Sequence, residues 1–319
     1  QGETLEIASR FLAISIPSLP LIAIGMIASA ILRAAGDAWR AMFVTTSAGM
    51  VALVIDPLFI MGFGWGVDGA AMAIVISRAT TAVVGFYFVH RVHNLLARFE
   101  VNDAVRYASP YFAIALPAIA TQLATPFGNW ILTRAISEFG DSAVAGWGVV
   151  SRLTILAFGG IFALSGAIGG IIGQNYGAGR MDRVTQTYLD ALKFCLVYTL
   201  ATWLLLFLLQ GQIIAGFNLT AEGAEVVRAF NSFAAGAFIF TGALFVSNAA
   251  FNNLGRPLWS TWSNWIRDGL LMFPLAVVMG GLFAAPGVIY AQAIAGILVG
   301  IGAAFFGWRF VRGLEQHRG

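Results

Sequence analysis

Long apolar runs follow one another through almost the whole chain, and basic residues occupy only every second gap between them. Those gaps contain, in chain order, Arg33 and Arg40; Arg91, Arg98 and Arg106; Arg180, Arg183 and Lys193; Arg256; and Arg309, Arg312 and Arg318. The alternate gaps carry Asp68, Glu138, Asp141 and Glu222 instead. Because Lys and Arg concentrate in the cytoplasmic loops of membrane proteins, this alternation indicates a chain that crosses a bilayer repeatedly.

Composition supports the same class of protein. Hydrophobic residues make up 59% of the chain and charged residues 10%, whereas roughly a quarter of a soluble domain is charged. The 37 glycines and 26 phenylalanines suit helices that pack closely in lipid through small residues. The runs are too long for the strands of an outer-membrane barrel, which span about ten residues. The sequence therefore predicts an all-α polytopic membrane protein.

The apolar stretches number about nine, each roughly twenty residues or longer, which is the length that crosses a bilayer as a helix. They lie near 11–32, 41–63, 69–89, 110–135, 143–172, 187–210, 226–251, 258–283 and 287–308. If the connections that contain Lys and Arg lie in the cytoplasm, the C-terminus is cytoplasmic and Gln1 lies on the outer side of the membrane. Since the first ten residues do not resemble a signal peptide, we expect further spans upstream.

The first three and last three spans share one plan, in which the first helix ends in a short turn containing glycine and a basic residue. The two turn glycines, Gly36 and Gly255, lie 219 positions apart. The three middle spans have no counterpart, so a complete arrangement would be two six-helix lobes related by a parallel repeat. We predict the second half of an N-terminal lobe over 1–95, a cytoplasmic linker over 96–108, and a six-helix C-terminal lobe over 109–319.

Two charged residues fall within neighbouring predicted spans at similar depth. An ionised group near the bilayer centre costs at least about 2.5 to 3.5 kcal/mol, so each requires a reason. The sequence predicts an ion pair between Asp56 and Arg78. That pair would either take part in cation coupling or only join the two helices.

A second charged pair, Arg267 and Asp268, lies within the eighth predicted span. The same helical face also contains Ser260 and Asn264. A face this polar predicts a cavity, because lipid would tolerate it poorly. Trp262 and Trp265 lie beside it and would either stack on a flat cationic drug or pack against neighbouring helices.

Uncharged polar side chains form stripes on two other predicted spans. They are Thr121, Gln122, Thr125 and Asn129 in the fourth span, and Thr241, Asn248 and Asn252 in the seventh. Such stripes suit a substrate cleft for amphipathic cations. They equally suit hydrogen bonds between helices, which contribute only about 0.6 kcal/mol per pair on average.

Several classes of function lack support in the sequence. The net charge is only +3 and the basic residues are dispersed, which argues against nucleic acid as a partner. The histidines at 90, 93 and 317 are remote from the single cysteine, so no metal site is predicted. No HExxH, P-loop or GxSxG motif occurs. We therefore predict a protein that is not an enzyme and has no catalytic residues, resident metal or organic cofactor.

Five motifs resemble those of the multidrug and toxic compound extrusion (MATE) family. The most specific is the run Gly-Gln-Asn-Tyr-Gly-Ala-Gly-Arg over 173–180. The others are Leu-Arg-Ala-Ala-Gly-Asp over 32–37, Asp-Pro-Leu-Phe-Ile over 56–60, Gly-Val-Asp-Gly-Ala-Ala over 66–71, and Asn-Leu-Gly-Arg-Pro over 253–257. They occur in the family's order, and the chain would correspond to helices four to twelve of a twelve-helix, two-lobe transporter.

The resemblance implies a monomeric secondary antiporter of the inner (plasma) membrane. It would export amphipathic organic cations or drugs in exchange for H+ or Na+ by alternating access, with membrane lipid as its only other partner. Asp56 matches the acidic residue of the family's fifth helix. The alternatives are a flippase for lipid-linked oligosaccharides from the same superfamily, and a non-transporting membrane scaffold or channel.

Overall fold

The computed structural model describes the backbone of residues 3–97 and 100–318. Helices account for 92% of the structure, and the described residues form no strand. This confirms the predicted all-α fold class. Two residues of the predicted topology, Gln1 and Arg98, lie outside the described residues. The chain divides into two compact units, Gln1–Ala104 and Val105–Gly319, here named unit 1 and unit 2.

Unit 1 is built from four helices, three of which pack against the fourth. They are α1 (Glu3–Ser15), α2 (Leu19–Ala34), α3 (Ala38–Pro57) and α4 (Gly66–Tyr87). A 3-10 turn, Ile16–Ser18, joins α1 to α2, because Pro17 and Pro20 lack the N–H groups that a continuous α-helix requires. The π-helical turns Leu58–Gly62 and Phe88–Val92 extend α3 and α4.

The turns predicted around Gly36 and Gly255 have the same hydrogen-bond geometry. In the first, Gly36 has a φ of 85° and the N–H of Asp37 donates to a carbonyl five residues earlier at 2.9 Å. In the second, Gly255 has a φ of 81° and the N–H of Arg256 donates across the same interval at 2.8 Å. Each glycine supplies the left-handed residue that ends a helix in this way.

Asp37 stabilises its turn through three partners, and this gives a prediction for pH dependence. Its carboxylate accepts from the N–H of Arg40 at 3.0 Å, pairs with the Arg40 guanidinium, and lies 2.8 Å from Nε2 of His93. These bonds lower the pKa of Asp37 from 3.8 to about 2, the Arg40 N–H bond most of all. Because the folded pKa lies below the unfolded one, the carboxylate stabilises fully above about pH 5 and loses this effect as pH falls towards 2.

We therefore expect Asp37→Asn to lower the melting temperature at pH 7 and to have a smaller effect at pH 3. The measurement is the difference in melting temperature between variant and wild type at the two pH values. Glu138→Gln is the control, since Glu138 is exposed and its removal should leave the melting temperature unchanged at both. An equal difference in melting temperature at the two pH values would contradict a stabilising role for the ionised Asp37 carboxylate.

Eight further helices follow. They are α5 (Val101–Ser137), α6 (Asp141–Gly177), α7 (Met181–Leu208), α8 (Gln210–Gly216), α9 (Ala221–Ala229), α10 (Ala235–Asn253), α11 (Pro257–Trp265) and α12 (Met272–Arg318). The π-helical turns Phe230–Ala234 and Ile266–Leu271 join α9 to α10 and α11 to α12. α12 bends sharply at Ala284, where φ is 54° and ψ is −143°, two residues before Pro286.

Seven continuous helical segments of the described chain are long and apolar enough to cross a membrane. The last, Pro257–Gln316, contains the bend at Ala284 and so corresponds to two predicted stretches. α5 is absent from the seven because its polar stripe lowers its mean hydropathy. Large apolar side chains such as Leu53 and Leu156 are 77% and 83% exposed, which suits contact with lipid. The chain is a multi-pass membrane protein.

The predicted linker over 96–108 becomes helical in its second half. α5 begins at Val101, and the boundary between the two compact units falls four residues later, between Ala104 and Val105. The first two turns of α5, over 101–108, therefore belong to the stretch predicted as a cytoplasmic connection.

Within unit 2, α10 packs against α6, α7 and α12. Close approach to α12 is possible because Gly300 lies against the carbonyl of Phe240. On the α7 side, the buried hydroxyl of Tyr188 lies 2.8 Å from the hydroxyl of Ser247. This packing fixes one side of the cavities described next.

Candidate functional site

A cavity of about 280 Å³ lies within unit 2. Five aromatic side chains form much of its wall: Trp147, Phe162, Phe230, Phe238 and Phe245. Its uncharged polar lining consists of Thr125, Asn129, Ser151, Thr154, Thr241 and Gln292. The two π-helical turns of unit 2 both contribute lining residues, which fits the frequent occurrence of such turns at functional sites.

An ion pair between consecutive residues lies in the wall of this cavity. Nε and Nη2 of Arg267 donate to Oδ1 and Oδ2 of Asp268, each at 2.7 Å. Both residues are buried, at 7% and 4% exposure. The bidentate geometry is the strong form of the Arg–carboxylate interaction, and it compensates part of the cost of removing two charges from water.

Asp268 is also held against α5. The hydroxyl of Thr125 lies 3.4 Å from its Oδ2, and a Cβ placed on Gly128 would lie 2.8 Å from the Cβ of Asp268. Only glycine at 128 therefore allows α5 and the π-helical turn to approach this closely. The position of the carboxylate is set by both elements.

A second cavity, of about 500 Å³, adjoins the first and shares Thr125, Phe162 and Phe245 with it. It is rich in amides and hydroxyls, namely Thr121, Gln122, Ser165, Asn248, Asn252 and Asn264. Oδ1 of Asn248 is buried and has no hydrogen-bond partner among the described residues. Ser260 donates to the backbone carbonyl of Asn248 at 3.2 Å, which ties α11 to α10 beside this cavity.

Eight of the ten predicted cleft residues line one of these two cavities. They are Thr121, Gln122, Thr125, Asn129, Thr241, Asn248, Asn252 and Asn264. The predicted polar face of α11 also points inward, since Ser260 is 0% and Asn264 3% exposed. The polar stripes of α5 and α10 and the polar face of α11, each predicted separately, therefore meet around the two adjoining cavities.

The two tryptophans predicted to stack on a substrate do not line either cavity. Trp262 is 67% exposed, because at about 100° per residue it lies on the opposite side of the helix from Ser260. Trp265 packs against Phe127, with ring centroids 5.5 Å apart, and its indole N–H donates to the Ala120 carbonyl at 2.8 Å. Trp265 therefore makes packing contacts, and stacking of either tryptophan on a substrate stays a prediction.

The predicted ion pair between Asp56 and Arg78 is not formed. Arg78 instead donates to the carbonyl of Ser15 at 2.7 Å and to the hydroxyl of Ser18 at 2.8 Å. The reason lies in the 3-10 turn, where the N–H of Leu19 donates to the carbonyl of Ile16 and not to that of Ser15. The Ser15 carbonyl instead accepts from two side chains, the Ser18 hydroxyl at 2.7 Å and Arg78. Asp56 is half-buried and has no ion pair or hydrogen bond among the described residues.

This difference gives a prediction for unit 1. Arg78→Ala should lower the free energy of unfolding by about 2 kcal/mol, because hydrogen bonds to charged groups contribute about 1.5–3 kcal/mol. Asp56→Asn, the matched change in the residue without a partner, should leave stability nearly unchanged. The measurement is the apparent melting temperature of each variant in one detergent. Equal losses from both variants would contradict the observed hydrogen bonds.

Several residues that line the cavity were not predicted from the sequence. Ser151, Thr154 and Gln292 are polar positions in otherwise apolar spans, so intramembrane polarity was the available signal. The four phenylalanines of the wall carried no signal, because phenylalanine is abundant throughout the chain. Arg152, within α6, is exposed and has no ion pair or hydrogen bond among the described residues.

Comparison with known proteins finds relatives along nearly the whole chain. The chain is 28% identical over 296 residues to the FAD transporter of Shewanella oneidensis, covering 91% of this chain and 66% of that protein. It is 23% identical over 312 residues to the multidrug export protein MepA of Staphylococcus aureus, covering 95% of this chain and 67% of MepA. It thus spans about two thirds of the length of these relatives.

Solved structures show the same fold. A multidrug resistance MATE family transporter of the MOP superfamily, in an outward-facing conformation, matches with a TM-score of 0.88 at 22% identity, over 99% of this chain and 72% of that one. A crystal structure of MATE in complex with MaL6 matches with the same TM-score at 21% identity and the same coverages. The MatE family model matches residues 117–278, just over half of the chain. The resemblance seen in the motifs is therefore confirmed, and the chain belongs to the MatE family.

Proposed function

We propose that this chain supplies the cargo cavity of a secondary active antiporter, which exports amphipathic organic cations or drugs in exchange for H+ or Na+ by alternating access. The observation that carries the proposal is the pair of adjoining cavities in unit 2, walled by aromatic rings and by uncharged polar groups around one buried ion pair. Such a lining binds flat amphipathic molecules without demanding one hydrogen-bonding pattern. The names of the two relatives, FAD transporter and multidrug export protein, agree with small-molecule cargo.

Two carboxylates are candidates for binding the coupling cation. Asp268 is the only carboxylate among the described residues that line the two cavities, and Arg267 occupies it. Asp56 in unit 1 is half-buried and free of a partner within the described chain. An ionisable group inside a membrane helix without a protein partner is by default a functional candidate. We therefore assign the coupling cation, H+ or Na+, to Asp56.

The flippase alternative is less well supported. A site for the pyrophosphate of a lipid-linked oligosaccharide would require several cationic side chains, yet Arg267 is the only cation among the described residues that line the two cavities, and Asp268 neutralises it. Arg78 and Arg152 do not join it: Arg78 bonds a turn of unit 1, and Arg152 is exposed. Cargo transport of this kind also makes the chain a transporter and not an enzyme.

Lys and Arg occur in every second connection between spans. This pattern supports a multi-pass protein of the inner (plasma) membrane with its C-terminus in the cytoplasm. In this proposal the protein functions as a monomer.

The test is cargo efflux from proteoliposomes that contain the full-length protein, with and without an imposed H+ or Na+ gradient. Gradient-driven movement of ethidium, lost in Asp56→Asn at unchanged protein content, is the expected result. Movement of ethidium without dependence on any gradient would indicate a channel, and no movement would indicate a scaffold. Movement of a lipid-linked sugar but not of ethidium would favour the flippase.

A further inference from the structure

Arg267 is deeply buried, yet part of its guanidinium is unused. Nε and Nη2 both donate to Asp268, while Nη1 donates to no other described residue. The side chain lines the smaller cavity, and its central carbon lies 5.8 Å from the ring centre of Phe245. Nη1 is therefore a free donor in the wall of the cavity. An accepting or anionic group of a bound molecule would satisfy Nη1 without breaking the ion pair.

Asp268 has a complementary capacity on the other side of the pair. Each of its oxygens accepts one short bond from Arg267, and the Thr125 hydroxyl is a longer contact at 3.4 Å. A carboxylate has about four acceptor positions, so room remains for an N–H group. The cavity therefore offers one unused donor and one unused acceptor side by side.

The charge balance of the cavity limits what these two groups will hold. No other charged residue lines either cavity within the described chain, so the binding space has no net charge. A bound monocation or monoanion would add a buried charge without compensation, and such a charge costs several kcal/mol in a protein interior. A molecule with both a cationic and an anionic group adds no net charge and satisfies both unused positions.

We infer that the unit 2 cavity selects zwitterionic aromatic molecules, with their anionic group on Arg267 and their cationic group on Asp268. This inference rests on the proposed function and narrows it: among cationic cargoes, those that also carry an anionic group bind more tightly. Phe162 and Phe245, which border both cavities, contact the flat body of the cargo.

The experiment compares two dyes that share one xanthene body. Rhodamine 110 is a zwitterion at pH 7.4, and rhodamine 123 is its methyl ester, a monocation. Fluorescence polarisation with the purified full chain in detergent gives a Kd for each dye. We expect the wild type to bind rhodamine 110 at least about tenfold more tightly, because burial of uncompensated charge opposes the ester. Equal affinities, or tighter binding of rhodamine 123, would overturn the inference.

Two variants assign the preference to the ion pair. Arg267→Gln/Asp268→Asn removes both charges and keeps similar shapes, so the preference should disappear. Arg267→Gln alone leaves Asp268 negative and should reverse the preference towards rhodamine 123. A preference that survives in the double variant would overturn the inference. If the single variant fails to fold, the comparison of dye preference between the wild type and the double variant still tests the inference.

Transport of the same dyes separates this inference from the proposed function. Gradient-driven uptake of both dyes at equal rates and affinities in proteoliposomes would overturn the selectivity and leave the antiporter proposal intact. Discrimination in binding without any gradient-driven transport would overturn the antiporter proposal and leave the selectivity intact.

Discussion

Asp268→Asn should lower the free energy of unfolding by about 3 kcal/mol, because removing one partner of a buried ion pair leaves the other charge uncompensated. Arg267 is 7% exposed and its two bonds to Asp268 are both 2.7 Å long, so no alternative partner replaces the carboxylate. Because the pair lines a polar cavity large enough to admit water, we expect a loss at the lower end of the range of about 3–5 kcal/mol for such pairs. The measurement is the apparent melting temperature in one detergent at a fixed scan rate, together with the fraction of monodisperse protein.

The matched control is the double variant Arg267→Gln/Asp268→Asn. The double variant leaves no uncompensated charge, and its two amides can hydrogen-bond to each other. We therefore expect the double variant to recover most of the loss, and the double-mutant cycle to give a coupling energy of more than about 1 kcal/mol. If the double variant were as unstable as the sum of the single variants, the pair would contribute no coupling.

The inward faces of the helices were predictable from the sequence, because polarity inside an apolar span has few causes. Ser260, Asn264, Arg267 and Asp268 share one face by helical periodicity alone, and the structure buries all four. The stripes of α5 and α10 follow the same logic and reach the same space. A membrane helix contacts lipid on one side and protein on the other. A polar stripe is therefore favourable only where it faces the protein interior.

Pairings across helices were not predictable in the same way. Depth in the membrane placed Asp56 and Arg78 at one level, but depth does not specify rotation about the helix axis. The carbonyl that Arg78 contacts belongs to the residue before a 3-10 turn, and a backbone acceptor at such a turn leaves no mark in a side-chain pattern. The bidentate bond between Arg267 and Asp268 was equally hidden, since it depends on the π-helical geometry of Ile266–Leu271.

Glycine contacts are the second kind of feature that the sequence does not reveal. The chain has 37 glycines, and their pattern alone does not distinguish those at close helix contacts from those facing open space. Gly300 and Gly302 illustrate this, because they lie two residues apart in α12. A Cβ on Gly300 would lie 2.2 Å from the carbonyl oxygen of Phe240, whereas a Cβ on Gly302 would meet nothing within 4 Å.

Gly300→Ala should therefore lower the free energy of unfolding by about 3 kcal/mol, the upper part of the range for overpacking a tight contact. The contact is with the backbone of α10, so no side-chain rotation relieves it and the two helices must separate. Gly302→Ala makes the same chemical change on the same helix and should be neutral, or stabilising by up to about 1 kcal/mol from helix propensity. Apparent melting temperatures of the two variants, measured side by side, test this. Equal melting temperatures would show that α10 and α12 do not approach through Gly300, and the α10 wall of the cavity, which carries Thr241 and Phe245, would then require a different position.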